Sequence, residues 1–142
     1  FTGFLKPDPE ITLTIPSATD KAISVGAYDT STDKVASFSG RGFTRENNQI
    51  KPDIVAPGVN IRSAATGGGT TVLSGTSMAT PFVTGSAALM MEWGIVRGND
   101  PYLYGEKIKA YLIRGAKHLP GYEQWPNKQA GWGALCLRDS LV

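Results

Sequence analysis

Apolar and β-branched residues fall in short runs along the first half of the chain, separated by proline, glycine and polar clusters. Residues 11–15 alternate and then meet Pro16, which predicts a short strand. Residues 22–28 form a second predicted strand, stopped by the polar cluster at 29–34. Its small apolar residues point to burial on both faces, as in a parallel sheet. Residues 35–38 read as a third short extended piece, and the polar stretch 39–51 as a surface loop. Residues 52–58 and 59–63 read as extended segments hinged at Pro57 and Gly58. After the flexible turn Gly67, Gly68 and Gly69, the β-branched residues 70–73 predict another strand.

From Thr76 the spacing changes. Residues 78–93 are helix-length and apolar on nearly all sides, the pattern of a buried helix. Small residues such as Ala79, Gly85, Ser86 and Ala88 would let its backbone approach neighbouring strands. Pro81 is assigned to the first turn, where a missing N–H costs least, and Gly94 is the expected stop. A second helix is predicted over 105–114, with Tyr104, Ile108, Tyr111 and Leu112 as its apolar stripe and Gly115 as its C-terminal cap. Residues 117–131 read as a long loop, and 132–141 as a segment ending in a short helix. Strands followed by helices, with near-continuous apolar strands, predict an α/β layered fold.

Composition narrows the function. The 142 residues, 41% hydrophobic and 18% charged, are globular in character and amount to one domain or part of a larger one. A net charge of +2 without a long basic run argues against nucleic acid or a membrane surface as partner. The low-charge stretch 54–91 is broken by Pro57, three glycines and Pro81, unlike a membrane span of about 20 uniformly apolar residues. Cys136 is the lone cysteine and His118 the lone histidine, so an intrachain disulfide is excluded and a His/Cys zinc site nearly so. Residues 1–10, with Pro7 and Pro9 and no initiator methionine, read as a lead-in within a longer or processed chain.

The informative chemistry lies in Gly75-Thr76-Ser77-Met78-Ala79-Thr80-Pro81. A serine here follows a strand and a glycine turn and opens a helix, whose first turn carries unpaired N–H groups and a partial positive charge. The Ser77 N–H could face the oxyanion formed when Ser77 Oγ attacks a carbonyl, a contribution of about 3 kcal/mol per donor. Gly75 would let a substrate backbone pass close by. From position alone the ordinary reading is a helix cap, with Thr76 or Ser77 as the capping residue. Met78 would pack in the core and be prone to oxidation. His118 reads as a surface histidine, Cys136 as a small buried hydrophobe, and Asp53 as a strand-end residue held by local hydrogen bonds. Residues 67–71 lack the lysine of a phosphate loop, and 75–79 lack the final glycine of a hydrolase elbow.

Residues 75–81, with Val83 and Gly85, resemble the serine signature of the subtilisin-like serine proteases, the subtilases. Residues 51–59, residues 24–28 followed by Phe38 and Ser39, and Gly131-Trp132-Gly133 resemble further segments of that family, in the same order. The resemblance implies a Ser-His-Asp mechanism acting on peptide or protein substrates, with Ser77 as nucleophile and oxyanion donor and Thr76 supporting the oxyanion hole. It also implies a partial subtilisin-like α/β fold: a mostly parallel sheet and a buried central helix following the nucleophile. The family's Asp-Ser/Thr-Gly and His-Gly-Thr motifs are absent, and residues 1–10 contain no asparagine for the oxyanion hole. Residues 1–142 therefore resemble the C-terminal part of a catalytic domain whose N-terminal half would supply Asp and His. The isolated chain is expected to be inactive, because a serine without a general base is a weak nucleophile. The alternative is a pseudoprotease or regulatory binding module that keeps the fold.

No organic cofactor is implied. In the family the neighbourhood of Asp53 can contribute to a weak structural cation site, such as one for calcium. A divided sheet would leave an apolar edge and one flank of the helix open, so self-association of the chain is expected. Residues 93–96, 99–105 and 109–115 look like a clostridial branch that includes spore-germination proteases, which implies a secreted or spore-associated bacterial protein.

Overall fold

The computed structural model describes residue 3 and residues 5–141. Strand β1 (Val25–Asp29) is the middle of a three-stranded sheet. On one side lies β2 (Lys34–Val35), antiparallel. On the other lies β3 (Ile54–Pro57), parallel, with Val25 opposite Ile54 and Tyr28 opposite Pro57. The chain returns to β3 near its C-terminus: Val55 N–H donates to Gly133 O at 2.9 Å and Leu135 N–H to Val55 O at 2.8 Å, a further parallel bridge. Strands β4 (Ile61–Ala64) and β5 (Thr70–Leu73) form a separate antiparallel hairpin. Its turn is Gly67, Gly68 and Gly69, all at positive φ, where a side chain would be strained.

Helix α1 (Thr76–Met91) packs across β1 and β3 and runs on into a wider π-type turn, Glu92–Val96. Helix α2 (Gly105–Arg114) and the short α3 (Leu137–Ser140) pack on each other. The main core gathers Ala27 and Ala56 of the sheet, Ala79, Val83 and Met90 of α1, and Ile108 and Leu112 of α2. A smaller cluster forms around Val55, Leu119, Ala130 and Ala134. The result is the expected α/β layering, with parallel pairing confined to β1, β3 and residue 134.

Several local expectations are corrected. Residues 11–15 form no strand: Thr12 N–H donates to Arg41 O at 2.8 Å, and Ile15 is 94% exposed, so the alternation has no partner strand to pack against. Of the third extended piece, 35–38, only Val35 lies in a strand, as the second residue of β2. Helix α1 is not buried all round. Ala79, Val83, Ser86 and Met90, spaced for one face, are buried, while Thr80, Pro81, Thr84, Ala88 and Leu89 are exposed. An apolar helix is buried all round only where something covers every side, and among the described residues β1, β3 and the 103–112 region cover one side of α1.

Pro81 stands in the second turn of α1, not the first, so Ser77 O lacks the usual helical donor. Gly94 does not stop the helix. It is buried in the π-type turn, where a Cβ would meet Leu103 Cδ2 at 2.9 Å. Gly115 does end α2, but with φ −83° it is not a left-handed cap. Its small size matters because a Cβ there would lie 2.5 Å from Ser140 N. Tyr104, assigned to the buried stripe, is exposed at the N-cap of α2. Cys136 is half-buried, not buried, at the start of α3.

Asp100 ties the turn before α2 to the helix itself. It accepts hydrogen bonds from Lys107 Nζ at 2.7 Å and from Tyr111 OH at 2.9 Å. The Lys107 hydrogen bond holds its carboxyl below the ordinary value of 3.8, against the opposing effect of desolvation. A carboxyl depressed on folding contributes stability above its unfolded value, and that stability is lost as pH falls through the folded value. Unfolding midpoints measured from pH 6 down to about pH 2 should therefore drop more steeply for the native chain than for Asp100→Asn.

Candidate active site

The turn that carries Ser77 is fastened to the end of the sheet. Gly58 N–H donates to Tyr28 O at 3.0 Å, and Gly58 O accepts from Gly75 N–H at 2.8 Å. Alongside, Asn60 N–H donates to Ser74 Oγ at 2.8 Å. Gly75 O then accepts Met78 N–H at 3.0 Å and Ala79 N–H at 3.3 Å, which starts α1. Gly58 is small for a steric reason: a Cβ there would lie 2.5 Å from Ala27 Cβ and 2.9 Å from Gly75 O. At Gly75 itself a Cβ would meet little more than Met78 Sδ, at 3.4 Å.

Gly75 is the N-cap of α1, and no side-chain hydrogen bond caps the helix. The capping alternative for Thr76 and Ser77 is therefore not how this helix begins. Ser77 is the second helical residue and is exposed, and its Oγ has no hydrogen-bond partner among the described residues. Its amide lies in the first turn, where the helical ladder offers no acceptor. Thr76 is half-buried, and its carbonyl accepts from Thr80 Oγ1 at 3.0 Å.

Thr76, Ser77 and Thr80 line one side of a cavity of about 590 Å³. Ser24 and Gly26 of the β1 segment line another, and Leu13 and Phe38 contribute to the rest. A more open groove of about 480 Å³ continues along the exposed face of α1, lined by Ser77, Thr80, Pro81 and Thr84. The arrangement presents a free hydroxyl at the positive end of a helix beside a half-apolar cavity, a geometry suited to attack on a bound carbonyl.

The other candidates lie apart. His118 is exposed and stacks on Trp125, with ring centroids 4.4 Å apart and planes at 2°; neither residue lines the cavity. Met78 is half-buried beneath Gly75. Asp53 is buried, and its carboxylate accepts from Ser24 N–H at 2.6 Å, Lys51 Nζ at 2.7 Å and Lys109 Nζ at 2.9 Å. Burial pushes the Lys51 ammonium below its ordinary value, and Asp53 pulls in the opposite direction. The motif reading located Ser77 but missed Leu13, Ser24 and Phe38 as cavity walls and both lysines as partners of Asp53. Apart from Lys51, two residues before Asp53, these contacts join distant segments, and no local spacing announces them.

The fastening of a serine-bearing helix start to a Pro-Gly strand end is accompanied by a sequence match over most of the chain. Residues 7–133 match the model of the Subtilase family. The chain belongs to the subtilase family. It is similar to the serine protease AprX of Bacillus subtilis, 37% identical over 95% of this chain and 33% of that protein. It is also similar to the human membrane-bound transcription factor site-1 protease, 34% identical over 89% of this chain and 12% of that one. Among solved structures, the CspB protease of Clostridium perfringens superposes with a TM-score of 0.93 at 49% identity, covering 99% of this chain and 30% of that one. The prenylagaramide maturation protease PagA superposes at 0.77 with 34% identity, covering 94% and 46%. This subtilase chain thus spans a third or less of its curated relatives.

The Gly58 contact makes a direct prediction for this subtilase chain. Gly58→Ala should lower the free energy of unfolding by about 1–3 kcal/mol in urea titrations, because backbone on one side and Ala27 on the other cannot both retreat. Gly85→Ala, where a Cβ meets nothing within 4 Å inside α1, should raise it by about 0.5–1 kcal/mol.

Proposed function

We propose that this chain is the nucleophile-bearing part of a serine endopeptidase. Ser77 Oγ attacks the carbonyl of a peptide bond, and the Ser77 N–H, supported by Thr76, stabilises the oxyanion. An acyl-enzyme on Ser77 follows and is released by water. The observation that carries this reading is the exposed, uncapped Ser77 at the start of α1, opening onto the cavity. Gly75 leaves room for a substrate backbone beside the reacting bond. The cavity's mixture of Leu13, Phe38 and hydroxyl-bearing residues fits a substrate side chain.

The reaction needs a general base and a group to orient it. His118 stands in a stack with Trp125 away from the cavity, so both are assigned to an N-terminal half of the catalytic domain. That half is also the natural cover for the open face of α1, where Leu89 is 52% and Phe82 41% exposed. Without it, the chain should associate with itself through this face.

The test uses the complete protein and a fluorophosphonate probe. Labelling is expected at Ser77, with peptide cleavage falling by roughly 10⁴-fold or more in Ser77→Ala. The isolated chain should neither label nor cleave. A complete, folded protein that does not label would sink the peptidase reading in favour of a pseudoprotease that binds peptides without cutting them.

A further inference from the structure

The surroundings of Asp53 have the donor set of a cation site, and two lysines occupy it. Asp53 and Lys51 are 2% and 1% exposed. Lys51 Nζ touches Asp53 Oδ2 at 2.7 Å and Ala22 O at 2.9 Å. Lys109 Nζ, reaching in from α2, touches Asp53 Oδ1 at 2.9 Å, Asp20 O at 2.8 Å and Ala22 O at 3.3 Å. One carboxylate and two main-chain carbonyls therefore converge from separate segments. Such hard oxygen donors are what calcium and the alkali cations take. An ammonium is a compact charge with three N–H donors and suits the same oxygens.

The charge balance argues against a metal ion joining them. One carboxylate already faces two ammonium groups, so an entering ion would meet net positive charge and would have to displace a lysine. Among the described residues, no cluster of three His, Cys, Asp or Glu could hold a metal. The residues present thus do not fit the weak cation site that the family resemblance implies. The cradle also holds the entry to β1 in place, and Ala22 and Ser24 of that entry wall the cavity beside Ser77.

We propose that Lys51 and Lys109 serve as tethered cations in this cradle, making it independent of metal, and that removing Lys51 converts it into a site for a free calcium or sodium ion. The proposal does not depend on Ser77 being a nucleophile, because its readout is stability. Thermal unfolding of the complete protein would be compared in EDTA with choline chloride, in calcium chloride and in sodium chloride, for the native form, Asp53→Asn, Lys51→Ala and the double variant. The native form and Asp53→Asn should respond equally to calcium. In choline, Lys51→Ala should unfold about 5 °C or more below the native form. It should regain at least half of that loss in calcium or sodium, and the double variant should regain none. If Lys51→Ala does not accumulate, Lys109→Gln, at the more accessible end of the cradle, carries the same comparison. A native calcium response that Asp53→Asn abolishes would overturn the proposal. So would a lysine variant that neither salt stabilises beyond the native response.

Discussion

The constraint on which the rest depends is the close approach of α1 to the β1–β3 pair. Ala27, Ala56 and Ala79 are fully buried where helix and sheet meet, and Gly58 lies against Ala27 with no room for a methyl group. Interiors pack at crystal-like density, so an approach this close is possible only with side chains this small. Once the helix lies there, its N-terminus falls next to the Pro57-Gly58 turn, and the Gly58–Gly75 hydrogen bond fixes the first turn. The position of Ser77 is therefore set by the core and not by a mobile loop.

The same packing explains the two faces of α1. The side toward β1 and β3 is filled by Ala79, Val83 and Met90, while the other side carries residues just as apolar with nothing described against them. Helix type and length were legible from composition, because apolar residues run on without a strand's breaks. Burial on every side was not, since composition does not say which faces of a helix have a neighbour. The segment 11–15 failed for a related reason: alternation marks a strand only where an edge is available to pair with, and here Thr12 finds one backbone partner, Arg41. Pro81 falls in the second turn because α1 begins at Thr76, and Gly115 is needed for its lack of a side chain against α3, not for a left-handed torsion.

The site was legible in part. A serine between a glycine and a helix-long apolar run is a local signal, and the family resemblance rests on it. The cavity walls and the Asp53 cradle are assembled from segments far apart in sequence. Lys109 looks in the sequence like any solvent-facing lysine of an amphipathic helix. Only the packing of α2 reveals that it turns inward to a carboxylate on another element.

The order of the elements along the chain carries a consequence for biosynthesis. Strands β1 and β3 leave the ribosome before α1, and the return of residues 133–135 to β3 is completed only near the end of this segment. Contacts between sequence-distant parts must await the loops that join them. The sheet therefore spends part of its synthesis with one face wet, until α1 has emerged to cover it.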